Sequence, residues 1–270
     1  MKKNEGKTDK LGRGMGASSF TYAMLSVAGI LSFLVIWQLL LEFNIVSGRY
    51  LAKPTELILL FIYKWTNAAP DGATLPKSIW ASMQVALSGL GLGIVTGVPL
   101  GLLMGWFKGI DKFVNPVFEI IRPIPPISWI PLTIVWLGIG LQAKAFIIYF
   151  SAFIPCVINS YTGIKLTNKT LINVAKTSGA GNVETFIKVG IPSAMPLAFA
   201  GIRVAVGNAW STLVAAEMLA ASAGLGYMIS MGRLYARPDI ILLGMIVIGL
   251  IGALFNGLLS FVENRVIKWR

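Results

Sequence analysis

The sequence predicts an all-α polytopic membrane protein with about six transmembrane helices. Hydrophobic residues fill 56% of its 270 positions and charged residues only 13%, against about a quarter charged in a typical soluble domain, so there is too little charge to coat a water-soluble surface. The charges are also clustered, leaving uncharged stretches over 14–41, 78–107, 123–143, 145–164 and 240–262. Each reaches the roughly 20 residues that a helix rising about 1.5 Å per residue needs to cross a hydrocarbon core about 30 Å thick. A sixth stretch, 196–220, is apolar apart from Arg203 and Glu217.

Six crossings put both ends of the chain on one side. Lys and Arg flanks stay in the cytoplasm, while acidic residues bias orientation little. With the N-terminus inside, sixteen of the 23 basic residues are cytoplasmic: Lys2, Lys3, Lys7, Lys10, Arg13, Lys108, Lys112, Arg122, Lys165, Lys169, Lys176, Lys188, Arg203, Arg265, Lys268 and Arg270. This bias accounts for the net charge of +12, so nucleic acid is not expected as a partner. The basic start leads into an apolar run longer than the roughly 7–15 residues of a signal-peptide core, without a small-residue cleavage site, and reads as an uncleaved first span. The single cysteine, Cys156, excludes a disulfide framework or thiolate cluster. The absence of histidine removes most zinc sites, His-dependent triads and HExxH proteases, so neither a metal site nor a catalytic residue is expected.

The elements follow in order. Residues 1–19 form a basic cytoplasmic tail, 20–41 the first membrane helix, and 42–78 an outer-side loop. Within that loop 54–65 (PTELILLFIYKW) is apolar but too short to cross, hence an interfacial helix, and 67–77, with Pro70, Gly72 and Pro76, is turn. Residues 79–270 form a core domain of five membrane helices with a cytoplasmic loop over about 165–195. In its first helix Gly89, Gly93, Gly97, Gly101 and Gly105 recur every four residues. They make one stripe for close approach of another backbone, within the subunit or between subunits. Shorter stripes at Gly201, Ala205, Ala209 and at Gly249, Ala253, Gly257 predict a compact bundle. In RPIPPISWIPLTIVW, Pro123, Pro125, Pro126 and Pro131 each remove a backbone donor and bend or delay the third span. Such backbone either borders a watery path or forms a buried kink. Glu217 also has two readings, a partnered or snorkelling acid near the outer rim and a path-lining acid.

The stretch TSGAGNVETFIKVGIPSAMP, 177–196, is water-facing and punctuated by glycine, yet lies between apolar runs. Leu171, Ile172, Val174 and Ala175 fall at helical spacing over 167–178, and Gly179 stops that helix. A second helix is expected with Asn182 as N-cap and Val183, Phe186 and Ile187 on one face, ending before Pro192. That face needs a cover. Since no other cytoplasmic segment is large enough to supply one, a separate protein is expected, the alternative being the chain's own bundle or the membrane surface. Just upstream, GIKLTNKT (163–170) imitates the phosphate-binding GxxxxGK[ST] pattern. Asn168 holds the second glycine position and a membrane span precedes it, so ATP binding by this chain is not expected.

Asn173-Val174-Ala175, three residues, Gly179, nine residues, then Val189-Gly190-Ile191-Pro192 resembles the EAA loop of ABC importer permeases (EAA, three, G, nine, I, one, LP). Asn173 replaces the acid and Val174 the first alanine. The likeness runs from about Ser82 to the C-terminus, through RPIPPISWIPLTIVWLGIG, SGAGNVETFIKVGIPSAMP, GIRVAVGNAWSTLVAAEML and GLGYMIS. It is similar to permeases for taurine and aliphatic sulfonates, with nitrate and bicarbonate permeases as near relatives. The resemblance implies a type I importer (MetI-like) permease fold in the inner, or plasma, membrane, with both termini cytoplasmic. It implies a homodimer in the lipid bilayer, two cytoplasmic ATP-binding cassette ATPase subunits carrying the ATP and magnesium, and a solute-binding protein, with no cofactor on this chain. It further implies a coupling helix seated in the ATPase, for which the residues are Gly179, Ala180, Val183, Glu184, Phe186, Ile187 and Pro192. For the path of a sulfonate-like anion the candidates are Ser128, Trp129, Trp210, Ser211 and Thr212, which offer transient donors, together with Glu217. A channel or secondary transporter and a membrane enzyme are the other classes weighed. The paired midplane charges of the one and the nucleophile-base pair of the other are both missing from the sequence.

Overall fold

A computed structural model describes residues 14–220 and 222–266. Lys2, Lys3, Lys7, Lys10 and Arg13 of the expected tail, and the terminal Lys268 and Arg270, lie outside the described residues. The elements are α1 (Gly14–Glu42), α2 (Pro54–Thr66), α3 (Leu75–Trp106), α4 (Lys108–Ile121), a 3-10 turn (Pro126–Trp129) leading into α5 (Ile130–Leu137), α6 (Leu141–Lys165), α7 (Lys169–Thr177), α8 (Asn182–Thr185), a π-helical turn (Phe186–Gly190), α9 (Ile191–Ala220), α10 (Leu225–Leu234) and α11 (Pro238–Val266). Among the described residues five stretches are long and apolar enough to cross a membrane: Met24–Glu42, Leu75–Trp106, Leu141–Lys165, Asn182–Leu219 and Pro238–Val266. A sixth crossing is available only if the pair Lys108–Ile121 and Pro126–Leu137, bent by 83°, counts as one span.

The bend expected from the prolines of the third span, 123–143, falls within that pair, and the helical part of the span begins earlier, at Lys108. Pro123, Pro125 and Pro126 supply no N–H, so α4 stops at Ile121 and the chain turns before it can resume a helix. Pro131 sits in the first turn of α5, where its missing donor costs nothing. Gly138, at φ 73°, then ends α5, its N–H donating to the Ile134 carbonyl at 2.9 Å. Because α6 already starts at Leu141, Lys144 is a buried helical residue rather than part of a flank.

Helix α1 is largely exposed along its described side chains and is held at its end, where Leu41 is buried and Glu42 pairs with Lys53 at 2.9 Å. That hydrogen bond holds the Lys53 ammonium above the usual lysine range. Beyond α2, the turn into α3 is pinned from inside. The fully buried Lys64 pairs with Asp71 and donates to the Ala73 carbonyl at 2.8 Å.

The glycine stripe of α3 packs within the subunit, against α6. A Cβ placed on Gly89 would meet the Ile148 Cβ at 2.7 Å, on Gly93 the Ala152 Cβ at 2.7 Å, on Gly97 the Cys156 Cβ at 2.9 Å, and on Gly105 the Ile164 Cβ at 2.6 Å. On Gly101 it would run into the Val157 carbonyl and the Ser160 Cβ. Both sets advance by four, so α3 and α6 run parallel with their backbones in contact along the seam. On its other side α6 receives α9, with Gly201 against the Pro155 carbonyl at 3.0 Å and Gly163 against that of Ala194 at 2.9 Å. Val85, Ile148, Ala152, Cys156, Ala205, Ala209 and Leu213 fill the space between the three helices. The third stripe behaves differently from expectation: Gly249 and Gly257 face open space and Ala253 is exposed. Helix α11 instead meets α9 at Gly252, which lies under the Trp210 indole.

Gly101→Val is expected to cost about 1–3 kcal/mol or more, because its Cβ must displace backbone. Gly91→Ala, with nothing within 4 Å, is expected to be neutral or to gain up to about 1 kcal/mol from helix propensity. Melting temperatures of the purified variants in detergent decide this. Equal melting of Gly101→Val and the parent would rule out the packed seam.

Candidate functional site

The loop between α6 and α9 is built from capping chemistry. Asn168 caps α7, accepting from the Thr170 N–H at 2.8 Å. At the other end Gly179 adopts φ 87°, its N–H reaching the Lys176 carbonyl while the Ala180 N–H reaches that of Ala175, both at 3.0 Å. This is the paired C-terminal cap that requires a left-handed residue. The fixed spacing between the last alanine of the motif and its glycine is therefore the spacing of a helix cap. Helix α8 begins one residue earlier than expected: Gly181 is the N-cap and Asn182 the first helical residue. The Asn182 side chain accepts instead from Trp106 Nε1 at 3.2 Å, tying the loop to the end of α3.

The helix does not end before Pro192. It continues through the π turn, where the Ile191 N–H bonds to the Phe186 carbonyl, into α9. Pro192 has no N–H for the Lys188 carbonyl, and a widened turn ahead of it absorbs both the missing bond and the ring. Phe186, expected at the surface with Val183 and Ile187, is only 8% exposed. Its ring lies 5.5 Å from that of Trp106 and 5.4 Å from that of Phe107, in a cluster with Leu102, Ile164 and Ala194. Gly190 lets the Trp106 ring close over this joint, since a Cβ there would meet it at 2.9 Å. Phe186 is thus corrected from a partner-facing residue to the anchor seating the loop on its own bundle.

What remains outside is a broken apolar face. Leu171 and Val174 of α7 are 51% and 56% exposed, and Val183 and Ile187 are 59% and 55% exposed. Glu184 and Lys188, paired at 2.7 Å, are exposed beside them, and Ala180 and Pro192 are half-buried. Asn173, at the motif's acid position, is exposed as well.

The path candidates separate into two groups. Thr212 is buried and shares a 2.9 Å hydrogen bond with Ser151, while Trp210 donates to the Ile248 carbonyl at 3.0 Å and packs edge-on to Phe255. Both therefore hold helices together rather than line an open face. Trp129 is half-buried, stacked on Phe150 at 5.2 Å. Ser128 and Ser211 are exposed. Beside Ser211, on the same face of α9, lie Gly207 and Asn208, also exposed. The Asn208 amide has no hydrogen-bond partner among the described residues, although it sits midway along a membrane-length helix. Sequence reasoning missed it. The signal was an amide next to a glycine in an otherwise apolar run.

Glu217 is 1% exposed and is partnered within the chain. Both carboxylate oxygens accept from Ser82 Oγ at 2.8 Å, and Oε2 accepts from the Gly226 N–H at 2.9 Å. Ser82 Oγ in turn accepts from the Leu225 N–H at 2.8 Å. Two orphan donors at the start of α10 are thereby satisfied by side-chain oxygens. Gly224, at φ 126°, and Gly226 are required here, because a Cβ on either would collide with Glu217.

Ser82→Ala is expected to destabilise by about 1–3 kcal/mol, since it strands the buried Leu225 N–H and removes a donor from the carboxylate. Amide exchange at Leu225 and Gly226 should accelerate with it, and unchanged exchange would dismiss the latch. Phe186→Ala removes a buried ring of the kind worth about 3–5 kcal/mol in a core. The expected readout is faster proteolysis within the loop with insertion unchanged. A loop as resistant as the parent's would show that Phe186 does not anchor it.

Residues 97–268 match the family model described as the binding-protein-dependent transport system inner membrane component. A relative from Methanocaldococcus jannaschii, named for ABC transporter permease function, is 37% identical over 237 residues, covering 87% of this chain and 88% of its own. The taurine transport system permease protein of Escherichia coli (strain K12) is 31% identical over 248 residues, covering 91% and 89%. Among solved structures, the inward-facing MetNI methionine ABC transporter has a chain that superposes with a TM-score of 0.56 at 21% identity, covering 72% of this chain and 94% of that one. At that identity the likeness speaks for the fold alone, the MetI-type arrangement of α3 to α11. The chain belongs to the binding-protein-dependent transport system inner membrane component family and is an ABC importer permease.

Proposed function

We propose that two copies of this chain form the path by which a small anion, with taurine-like sulfonates as the lead, crosses the inner membrane after delivery by a solute-binding protein. Two cytoplasmic ATPase subunits, holding ATP and magnesium, drive the cycle, and both termini of the chain are cytoplasmic. The observation that carries this reading is the loop from α7 to the π turn. Its exposed Val183 and Ile187, with Ala180 and Glu184, form a small apolar face that a cytoplasmic groove would cover, while Phe186 fastens the same segment to α3 and α6. A push on that face reaches α9 without a break, because α8, the π turn and α9 are one helical path.

Support for an anion comes from the taurine relative and from the exposed face of α9. An amide facing hydrocarbon without a partner would cost roughly 2–7 kcal/mol depending on the reference state, so Asn208 faces water or a second copy. Together with Ser211 it offers neutral donors that can pass an oxyanion along without trapping it. Arg203, the nearby cation on α9, is paired with Glu263 of α11.

The test is ATPase activity of the purified complex in lipid, with the binding protein added empty or loaded with sulfonates, carboxylates or nitrate. Stimulation by a loaded sulfonate is expected. Stimulation by nitrate or a carboxylate alone would replace the sulfonate reading, and failure of any ATPase to copurify would sink the coupling assignment. In the same preparation Asn208→Leu is expected to keep stimulated ATPase activity while uptake falls roughly tenfold or more, the worth of a hydrogen bond to a charged group. Undiminished uptake would remove Asn208 from the path.

A further inference from the structure

We propose that the cleft between the ends of α3 and α6 and the flank of α7 binds a phosphate group. Lys108, Lys165, Lys169 and Lys176 all border this one space of about 350 Å³. They come from three elements: the start of α4, the end of α6, and two positions a double turn apart on α7. No acid lines the cleft, and Asp111 Oδ2 is engaged by Lys165 at 3.4 Å and by the Tyr161 hydroxyl at 3.2 Å. Lys108, Lys169 and Lys176 make no ion pair among the described residues. Like charges converging on a cleft with apolar walls raise its potential and concentrate a multivalent anion there.

The neutral groups agree with that ligand. The Asn182 carbonyl oxygen is occupied by the Trp106 indole, which leaves its NH2 to donate at the cleft wall. Trp106, Ile164 and Ile172 supply the apolar side. An indole and aliphatic groups below a ring of lysines are the composition of a bilayer interface on the cytoplasmic side. The stretch that imitates a phosphate-binding loop also contributes here: Ile164, Lys165, Thr167 and Lys169 all belong to 163–170. It does so from a helix end and a helix start, with no glycine loop to wrap a triphosphate. A single phosphate bridging lysines fits; a nucleotide cradle is not reproduced.

An anionic lipid headgroup and free phosphate share this chemistry. Either would tie Lys169 and Lys176 of the loop to Lys108 and Lys165 of the bundle, setting how firmly the loop is seated. The site does not depend on the transported solute, and it lies in the same loop as the proposed ATPase face.

The full-length chain is placed in nanodiscs of phosphatidylcholine, with or without phosphatidylglycerol. Phosphatidylglycerol retained on the protein is measured by native mass spectrometry, and labelled inorganic phosphate by equilibrium dialysis against the neutral discs. Lys169→Gln/Lys176→Gln is expected to weaken binding roughly thirty-fold, at about fivefold per lysine near a membrane surface. Lys169→Arg/Lys176→Arg is expected to retain it, which separates lost charge from lost fold. Retention of phosphatidylglycerol identifies the lipid source, and binding of phosphate in neutral discs identifies the free anion. No retention of either, or equal retention by the parent and the glutamine variant, overturns the proposal. An acidic ATPase segment cross-linked into the cleft of an assembled complex that holds no anion overturns it too.

Discussion

Backbone contact between α3 and α6, made possible by five glycines, is the constraint from which the rest of the chain is placed. Lipid tails are as apolar as leucine, so two membrane helices gain little by hiding apolar side chains from the bilayer. They associate through dispersion and close approach instead, which small residues permit. Along α3 the glycine face does this over four turns, and α6 then offers its opposite side, through Gly163 and Pro155, to α9. Helix α6 is therefore central, and the two helices around it are held mainly by shape, with the buried hydrogen bond between Ser151 and Thr212 joining α6 to α9 in mid-helix. Further polar bonds appear at the ends. Glu217 and Ser82 fix α9 and α3 to α10, and Trp106 and Asn182 fix α3 to the loop.

The loop gains its mechanical character from being fastened at three points. Helix α7 is tied to α6 by a short capped turn at Asn168, Phe186 is seated between Trp106 and Phe107 of the α3 end, and the π turn runs directly into α9. A force applied to Val183 and Ile187 cannot be absorbed by a slack linker, because none lies between them and the membrane helices. The departure from regular helix geometry between them and α9 is the π turn, with its wide hydrogen bond from Ile191 to Phe186.

Much of this was legible in the sequence where a local rule determines the outcome. The alanine-to-glycine spacing of the loop motif survives into structure because Ala175 and Gly179 are two ends of one cap. The four-residue glycine repeat survives because helical periodicity places it on one face. Phe186 escaped because the i, i+3, i+4 pattern marks an apolar face without showing that Trp106 and Phe107, far away in sequence, cover part of it. The bend in the third span was legible from its prolines, whereas the helix ahead of them, ending at Ile121, was not, because its charges mask it from hydropathy. Glu217 showed only that an acid lies in a membrane span. Its partner Ser82 is far away in sequence, and nothing local announces the pairing. Asn208 was silent for a related reason, since its meaning rests on which face of α9 the other helices leave uncovered.

These constraints converge on α9. At about 1.5 Å per residue its 30 residues span about 45 Å, with the loop anchor at one end and the Glu217 latch at the other. Its inner face is locked by Gly201, Ala205 and Ala209 against α6, so bending toward or away from the bundle would cost packing along its length. Any motion of α9 is therefore that of a rigid body. Such motion carries Gly207, Asn208 and Ser211 with it, since they ride on the opposite face of the same rigid helix. It also pulls on the start of α10 through Gly226, whose N–H is held by the Glu217 carboxylate. A displacement entering at the loop thus has two outlets, the polar face in mid-membrane and the α10 latch beyond it. One rigid helix moves both together, which is what an importer needs if the path is to open to one side as it closes to the other.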